Sequence, residues 1–137
     1  MKRQRPEDRE CEHFASWLEL KKLKFSHIAN ESVLGALNQK AALIIGSKLK
    51  RMGQRKGVPD YVVLTPKGTV WVELKDPAKK LKKGDVMEGW EGGQDTRGGL
   101  KREQYDWINA INKTPGAQAK VCYGHKEAEE FVSHFLI

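Results

Sequence analysis

Two short runs of β-forming residues joined by a turn constrain this chain most. Tyr61-Val-Val-Leu-Thr65 and Thr69-Val-Trp-Val-Glu-Leu-Lys75 are rich in valine, aromatic and β-branched side chains. Pro66-Lys67-Gly68 between them is a turn signal, so the segment reads as a β-hairpin. Side chains alternate along a strand, which puts Glu73 and Lys75 on one side. With Lys67-Gly68 as a two-residue turn, Asp60 stands opposite Lys75 and diagonal to Glu73, and Val62 stands opposite Glu73. Diagonal neighbours are roughly 7–8 Å apart at the backbone, so the two carboxylates can reach one shared ion. Charges ending an otherwise apolar strand are costly unless they do something. The Val58-Pro59 step fixes the backbone just before Asp60.

The flanking segments read as helices and strands around this hairpin. Residues 1–5 are expected to fray. From Pro6 to about Lys24 the apolar positions Cys11, Phe14, Ala15 and Leu18 follow a helical period, with Pro6 and early acids suited to the first turn. Residues 25–29 form a candidate strand. Ser32 is a candidate cap for a second helix through Leu34, Leu37, Ala41 and Ile44 towards Met52, with Gly53 as its stop. Residues 76–99 read as a long, charged, glycine-rich loop, which in a small domain is usually functional or disordered. An amphipathic helix from Leu100 to Asn112, a strand over 119–123 and a closing helix from Lys126 to about Phe135 follow. With no internal repeat and no linker, the 137 residues are expected to form one α/β domain. A small mixed sheet would carry helices on both faces.

Composition excludes several classes. No apolar run approaches the roughly 20 residues that span a bilayer, and no apolar signal core follows the basic N-terminus, so a cytoplasmic protein is expected. Cys11 and Cys122 are far apart, and His13, His27, His125 and His134 show no zinc spacing, so neither a disulfide framework nor structural zinc is expected. No phosphate-cradling glycine motif appears, so no nucleotide cofactor is implied. The net charge of +7 favours a polyanionic partner. Its distribution says more: Lys48, Lys50, Arg51, Arg55 and Lys56 fall in one acid-free stretch, and Lys79, Lys80, Lys82 and Lys83 in another. Each run is either a solvated surface or a set of phosphate contacts.

Asp60, Glu73 and Lys75 together are the kit that phosphodiester cleavage needs. Hard oxygen ligands hold a divalent cation, and a neighbouring lysine orients or deprotonates water or balances developing charge. The plain structural alternative is a cross-strand ion pair worth under about 1 kcal/mol. A non-catalytic, basic DNA-binding protein fits the charge clusters equally well, but gains nothing from carboxylates aimed at a polyanion. RNA as the target stays open, since nothing here reads a 2′-hydroxyl or a base edge.

Gly57-Val-Pro-Asp60, twelve residues, then Glu73-Leu-Lys75 resembles the PD-(D/E)XK motif of restriction-endonuclease-like nucleases. The helix with Gln104-Tyr-Asp-Trp107 and the strand Ala119-Lys-Val-Cys-Tyr-Gly124 make the chain similar to the VRR-NUC branch, and the likeness spans nearly its whole length. The resemblance implies a restriction-endonuclease-like core and a Mg²⁺- or Mn²⁺-dependent endonuclease acting on duplex or branched DNA, four-way junctions above all, as a homodimer. A viral or prophage setting, in the cytoplasm of an infected bacterium, is implied in the same way. Asp60 and Glu73 would be metal ligands, the Leu74 carbonyl would complete the inner shell, and Lys75 would be the catalytic lysine. Gln104 would position water or phosphate, and Glu10 would be the outlying helix carboxylate. The sequence departs from the family in carrying Cys11 where a glutamine commonly follows that glutamate, and in the length of the 76–99 segment. Trp71 and Trp107 sit in periodic elements and read as core; Trp90, in the glycine-rich loop, is the better base-stacking candidate. Asn30 reads either as a substrate contact or, in preference, as a strand terminator.

Overall fold

The computed structural model describes residues 5–28, 38–80 and 100–137. The expectations placed on residues 1–4, Ala29, Asn30, Ser32, Leu34, Leu37, Lys82, Lys83, Trp90 and the rest of 81–99 lie outside the described residues.

Helix α1 spans Pro6–Leu20, with Pro6 in the first turn beside Glu7 and Asp8. It ends earlier than its periodicity suggests. Lys22 takes a left-handed φ of 57°, and the Lys22 and Leu23 amides donate to the Glu19 and Leu18 carbonyls. A lysine there costs about 1 kcal/mol. The turn that results drops Leu23 onto the core, where its burial offsets the strain. Strand β1 (Phe25–His27) follows. Helix α2 is Gln39–Arg51, and its cap is Asn38 rather than Ser32: the Asn38 side chain accepts the Ala41 amide at 2.8 Å.

The hairpin is strand β2 (Tyr61–Thr65) and strand β3 (Gly68–Lys75). Its register differs from the expected one by two residues. Thr65 pairs with Gly68 and Tyr61 with Val72, so the loop is Pro66-Lys67. A two-residue turn centred on Lys67-Gly68 would want positive φ at Lys67, which a lysine rarely takes and does not take here. The positive φ falls instead on Gly68, at 124°. The Thr65 hydroxyl accepts the Lys67 amide and donates to the Gly68 carbonyl, closing the loop. Trp71, not Glu73, is therefore opposite Val62. Continuing the register brings Asp60 opposite Glu73 instead of Lys75. A shift of two keeps every side chain on its face, so the convergence of the charged residues survives the correction.

After β3, Pro77–Lys79 form a single 3-10 turn inside the segment expected to be loop, and the Asp76 side chain accepts the Ala78 amide. Helix α3 (Arg102–Asn112), strand β4 (Ala117–Tyr123) and helix α4 (His125–Ser133) complete the fold. The sheet order is β1-β2-β3-β4, antiparallel except for the parallel β3/β4 pair.

Alternation along β3 sorts two cores. Val70, Val72 and Leu74 face α1 and α4 with Phe14, Leu18, Cys122, Ala128 and Val132. Trp71 joins Leu100, Ile108, Ile111 and Ala119 under α3 on the other face, with Trp107 packed beside it. Helices thus cover both faces, as expected, and Trp71 and Trp107 are partly buried against the core under α3. Asn112 ties α3 to β4 by accepting the Ala119 amide (2.7 Å) and donating to its carbonyl (3.1 Å). Asn112→Ala leaves both groups without that partner, and is expected to lower the unfolding free energy by roughly 2 kcal/mol. A shift of under about 0.5 kcal/mol in a urea titration would mean that the bond pair carries no weight. No helix among the described residues is long and apolar enough to cross a membrane.

Candidate active site

The site lies at one end of the sheet, where β1 and β3 finish and β2 begins. A cleft of about 890 Å³ opens there, with Asp60, Glu73, Leu74 and Lys75 in its lining. Trp71, Glu73 and Lys75 share the α3 face of β3. Beyond Trp71 the apolar cover stops and the two charged residues follow, although they stay buried: Glu73 is 2% and Lys75 7% exposed. Asp60 sits just before β2, after the fully buried Pro59.

Three interactions organise the floor of the cleft. Asp60 Oδ2 accepts the Leu74 amide at 2.8 Å, which fixes its carboxylate against β3. Lys75 Nζ stands 3.3 Å from Glu73 Oε1. Glu73 Oε2 is buried and has no hydrogen-bond partner among the described residues. A buried, half-partnered carboxylate is expensive to ionise. Burial, and then the charge of Asp60, push the Glu73 carboxyl up to about 8, against the pull of Lys75. Burial also raises Asp60, opposed by the Leu74 amide and by Lys75. Two buried carboxyls at one floor, each raised above its ordinary value, form a site that would gain from a cation.

Among the described residues, no three His, Cys, Asp or Glu side chains come together closely enough to hold an ion by themselves. Magnesium does not require that. It commonly takes one or two carboxylates, keeps several waters and completes its shell with substrate phosphate. Asp60 and Glu73, with an unpartnered oxygen already in place, fit such an ion.

Cations line the walls of the cleft: Lys50, Arg55 and Lys56 from the first expected cluster, Lys79 from the second, and Arg5 and Lys101 from neither. Lys48 and Arg51 are not part of this lining. On α2 the residues lining the cleft, from Ala42 to Lys50, occupy one arc, and at about 100° per residue Lys48 and Arg51 project outside it. Gln104 lines the cleft from the first turn of α3. Its Oε1 accepts the Lys101 amide at 2.9 Å, which leaves its amide NH₂ as donor.

Of the α1 carboxylates, Glu7 and Asp8 line the cleft and Glu10, the expected one, does not; Asp8 is paired with Arg5. Glu7 lies in the lining and raises both Asp60 and Glu73 by its charge. Glu10 is committed elsewhere. Its Oε2 accepts the His125 amide at 2.8 Å and serves the N-terminus of α4, whose flanking Gly124 it abuts. His27 also lines the cleft, with its ring edge-on to Tyr61.

In comparisons with known proteins, no family model matches the sequence, and neither does any curated protein. Among solved structures the chain is similar to a VRR_NUC domain protein, with a TM-score of 0.62 and 17% identity. The match covers 98% of this chain and 90% of that one. At that identity the likeness is one of fold: the chain has the VRR-NUC fold that its motif order led us to expect.

Proposed function

We propose that this chain is a Mg²⁺- or Mn²⁺-dependent endodeoxyribonuclease that hydrolyses phosphodiester bonds. The observation that carries the reading is Glu73, a carboxylate buried beside Asp60 and Lys75 with one oxygen unpartnered, in a cleft walled by lysine and arginine. The VRR-NUC fold supports it.

Asp60, Glu73 and the Leu74 carbonyl would hold the ion, with Glu7 reaching it through water. Once bound, the cation would lower the pKa of water and neutralise charge on the phosphoryl oxygens. The chain supplies the rest. Lys75, dry and held by Glu73, orients the attacking water or takes its proton. The Gln104 amide NH₂ steadies a phosphate oxygen or that water. Lys50, Arg55, Lys56, Lys79 and Lys101 hold the flanking backbone by charge, so affinity falls steeply with salt. A binder alone would have no use for the unpartnered carboxylate, which is why catalysis is preferred over passive DNA recognition.

The substrate we assign is branched DNA, four-way junctions in particular, cut in the cytoplasm by a homodimer with one site per strand. Labelled duplex, flap and junction DNA, each with EDTA, Mg²⁺ or Mn²⁺, test this. Cutting is expected only with metal and fastest on the junction, by a species whose mass in light scattering is twice that of the chain. Tight binding with no cutting under any metal would support the DNA-binding alternative instead.

A further inference from the structure

The turn that leads into Asp60 presses against the helix that carries Gln104. Gly57 has φ 87°. A Cβ there would stand 2.5 Å from the Glu103 carbonyl carbon and 2.7 Å from both its Cβ and its oxygen. No side chain fits in that space, so backbone packs on backbone. From Gly57 the chain runs through Val58 and the fully buried Pro59, a stiff step, to Asp60, which is itself fixed to β3 by the Leu74 amide. On the other side of the contact, Gln104 is the next residue after Glu103. Within the cleft, Asp60, Glu73 and Lys75 belong to the hairpin and its lead-in, whereas Lys101 and Gln104 belong to the cap and first turn of α3. Ile108, Ile111 and Asn112 anchor α3 on the sheet, and Leu100 and Tyr105 hold its start against the same core; the Gly57–Glu103 contact joins that start to the turn that leads into Asp60.

We infer that Gly57 is a positioning residue. Its contact with Glu103 sets the separation between the carboxylates of the hairpin and the substrate-facing first turn of α3. The inference rests on the nuclease reading. A displacement of about 1 Å in such a constellation can cost about 100-fold in rate.

Gly53, in the same turn region, provides a matched control. It has φ 105° and nothing within 4 Å of an added Cβ. Alanine at either position strains the backbone; only at Gly57 does it also collide. Gly57→Ala and Gly57→Asn are compared with Gly53→Ala and Gly53→Asn, because asparagine tolerates positive φ and isolates the collision. The single-turnover rate at saturating protein, the half-saturating protein concentration, Mn²⁺ affinity by calorimetry and the melting temperature are read for each.

The expected result is a fall of about 100-fold or more in the saturating rate for both Gly57 variants. Half-saturation and Mn²⁺ affinity should stay within about threefold of wild type, because the ion's ligands all sit on the hairpin side. The Gly53 variants should cut within about threefold of wild type. Equal losses at Gly53 and Gly57, or a loss confined to half-saturation or to Mn²⁺ affinity, overturn the inference. So does the unfolding of both Gly57 variants while the Gly53 variants fold, since the contact would then serve folding alone. A wild type that cuts nothing removes the nuclease reading and this inference with it, whereas failure at Gly57 leaves that reading standing.

Discussion

Lys75→Ala is expected to cut DNA at least about 1,000 times more slowly than wild type at saturating Mg²⁺, while binding the same DNA within about threefold. Removing one donor that stabilises a reacting centre typically costs a factor of about 100 to 1,000. Lys75 would supply both charge and a proton-handling group, so the upper end applies. Affinity should hold because Lys75 is 7% exposed, while the cations that meet the rest of the substrate line the walls. The substitution also deprives Glu73 of its 3.3 Å partner. Breaking a buried pair usually destabilises by about 3–5 kcal/mol. Here the loss should be smaller, because a carboxyl already raised to about 8 takes up a proton near neutrality instead of remaining a bare charge. Lys75→Met, which keeps the apolar stem, should be equally inactive and nearer to wild type in melting temperature. Cutting by either variant at the wild-type rate would remove Lys75 from the mechanism.

The pairing of Lys75 with Glu73 was legible because strand alternation is insensitive to the details of a turn. Placing the loop at Lys67-Gly68 instead of Pro66-Lys67 moved the register by two, and a shift of two returns each residue to its face. A slip of one would have sent Glu73 and Lys75 into the α1/α4 core. Helix starts were less legible. Ser32 and Asn38 are both good caps, and only the structure shows Asn38 accepting the Ala41 amide. The outlying glutamate was least legible. Glu7 and Glu10 are three residues apart on one side of α1. Which of them meets the hairpin depends on how far α1 slides along the sheet, a tertiary quantity set by Phe14 and Leu18 seating among β3 and α4. Glu10 is held by the His125 amide, a partner 115 positions away that no local pattern announces. Lys101 carries no sequence signal for a related reason. It stands alone in sequence, and joins Lys50, Arg55 and Lys79 only because α3 starts at the cleft.

Glu73→Gln is expected to abolish cutting and, without divalent cation, to make the protein more stable than wild type at alkaline pH. In the folded protein the carboxyl is raised from 4.5 to about 8, chiefly by burial and then by the charge of Asp60. The native state therefore holds this proton more tightly than the unfolded chain does. That contribution to stability is fully present below about pH 4.5. It is lost progressively as pH rises towards 8, with a slope of up to about 1.4 kcal/mol per pH unit. Glutamine has the same shape and no proton to lose, so the slope it removes belongs to Glu73. Asp60, raised in the same direction by burial, would leave a residual slope in both proteins. The two melting temperatures should nearly coincide at pH 5 and separate by about 5 °C or more at pH 9, glutamine higher. Saturating Mg²⁺ should reverse the order at pH 9. Binding to the native state alone stabilises the wild type by mass action, whereas the variant lacks the charged oxygen that draws the ion. Parallel melting curves from pH 5 to pH 9, or a Mg²⁺ response that survives in Glu73→Gln, would detach the buried carboxylate from cation binding. The assignment of this cleft as a metal-dependent nuclease site would then lose the observation on which it stands.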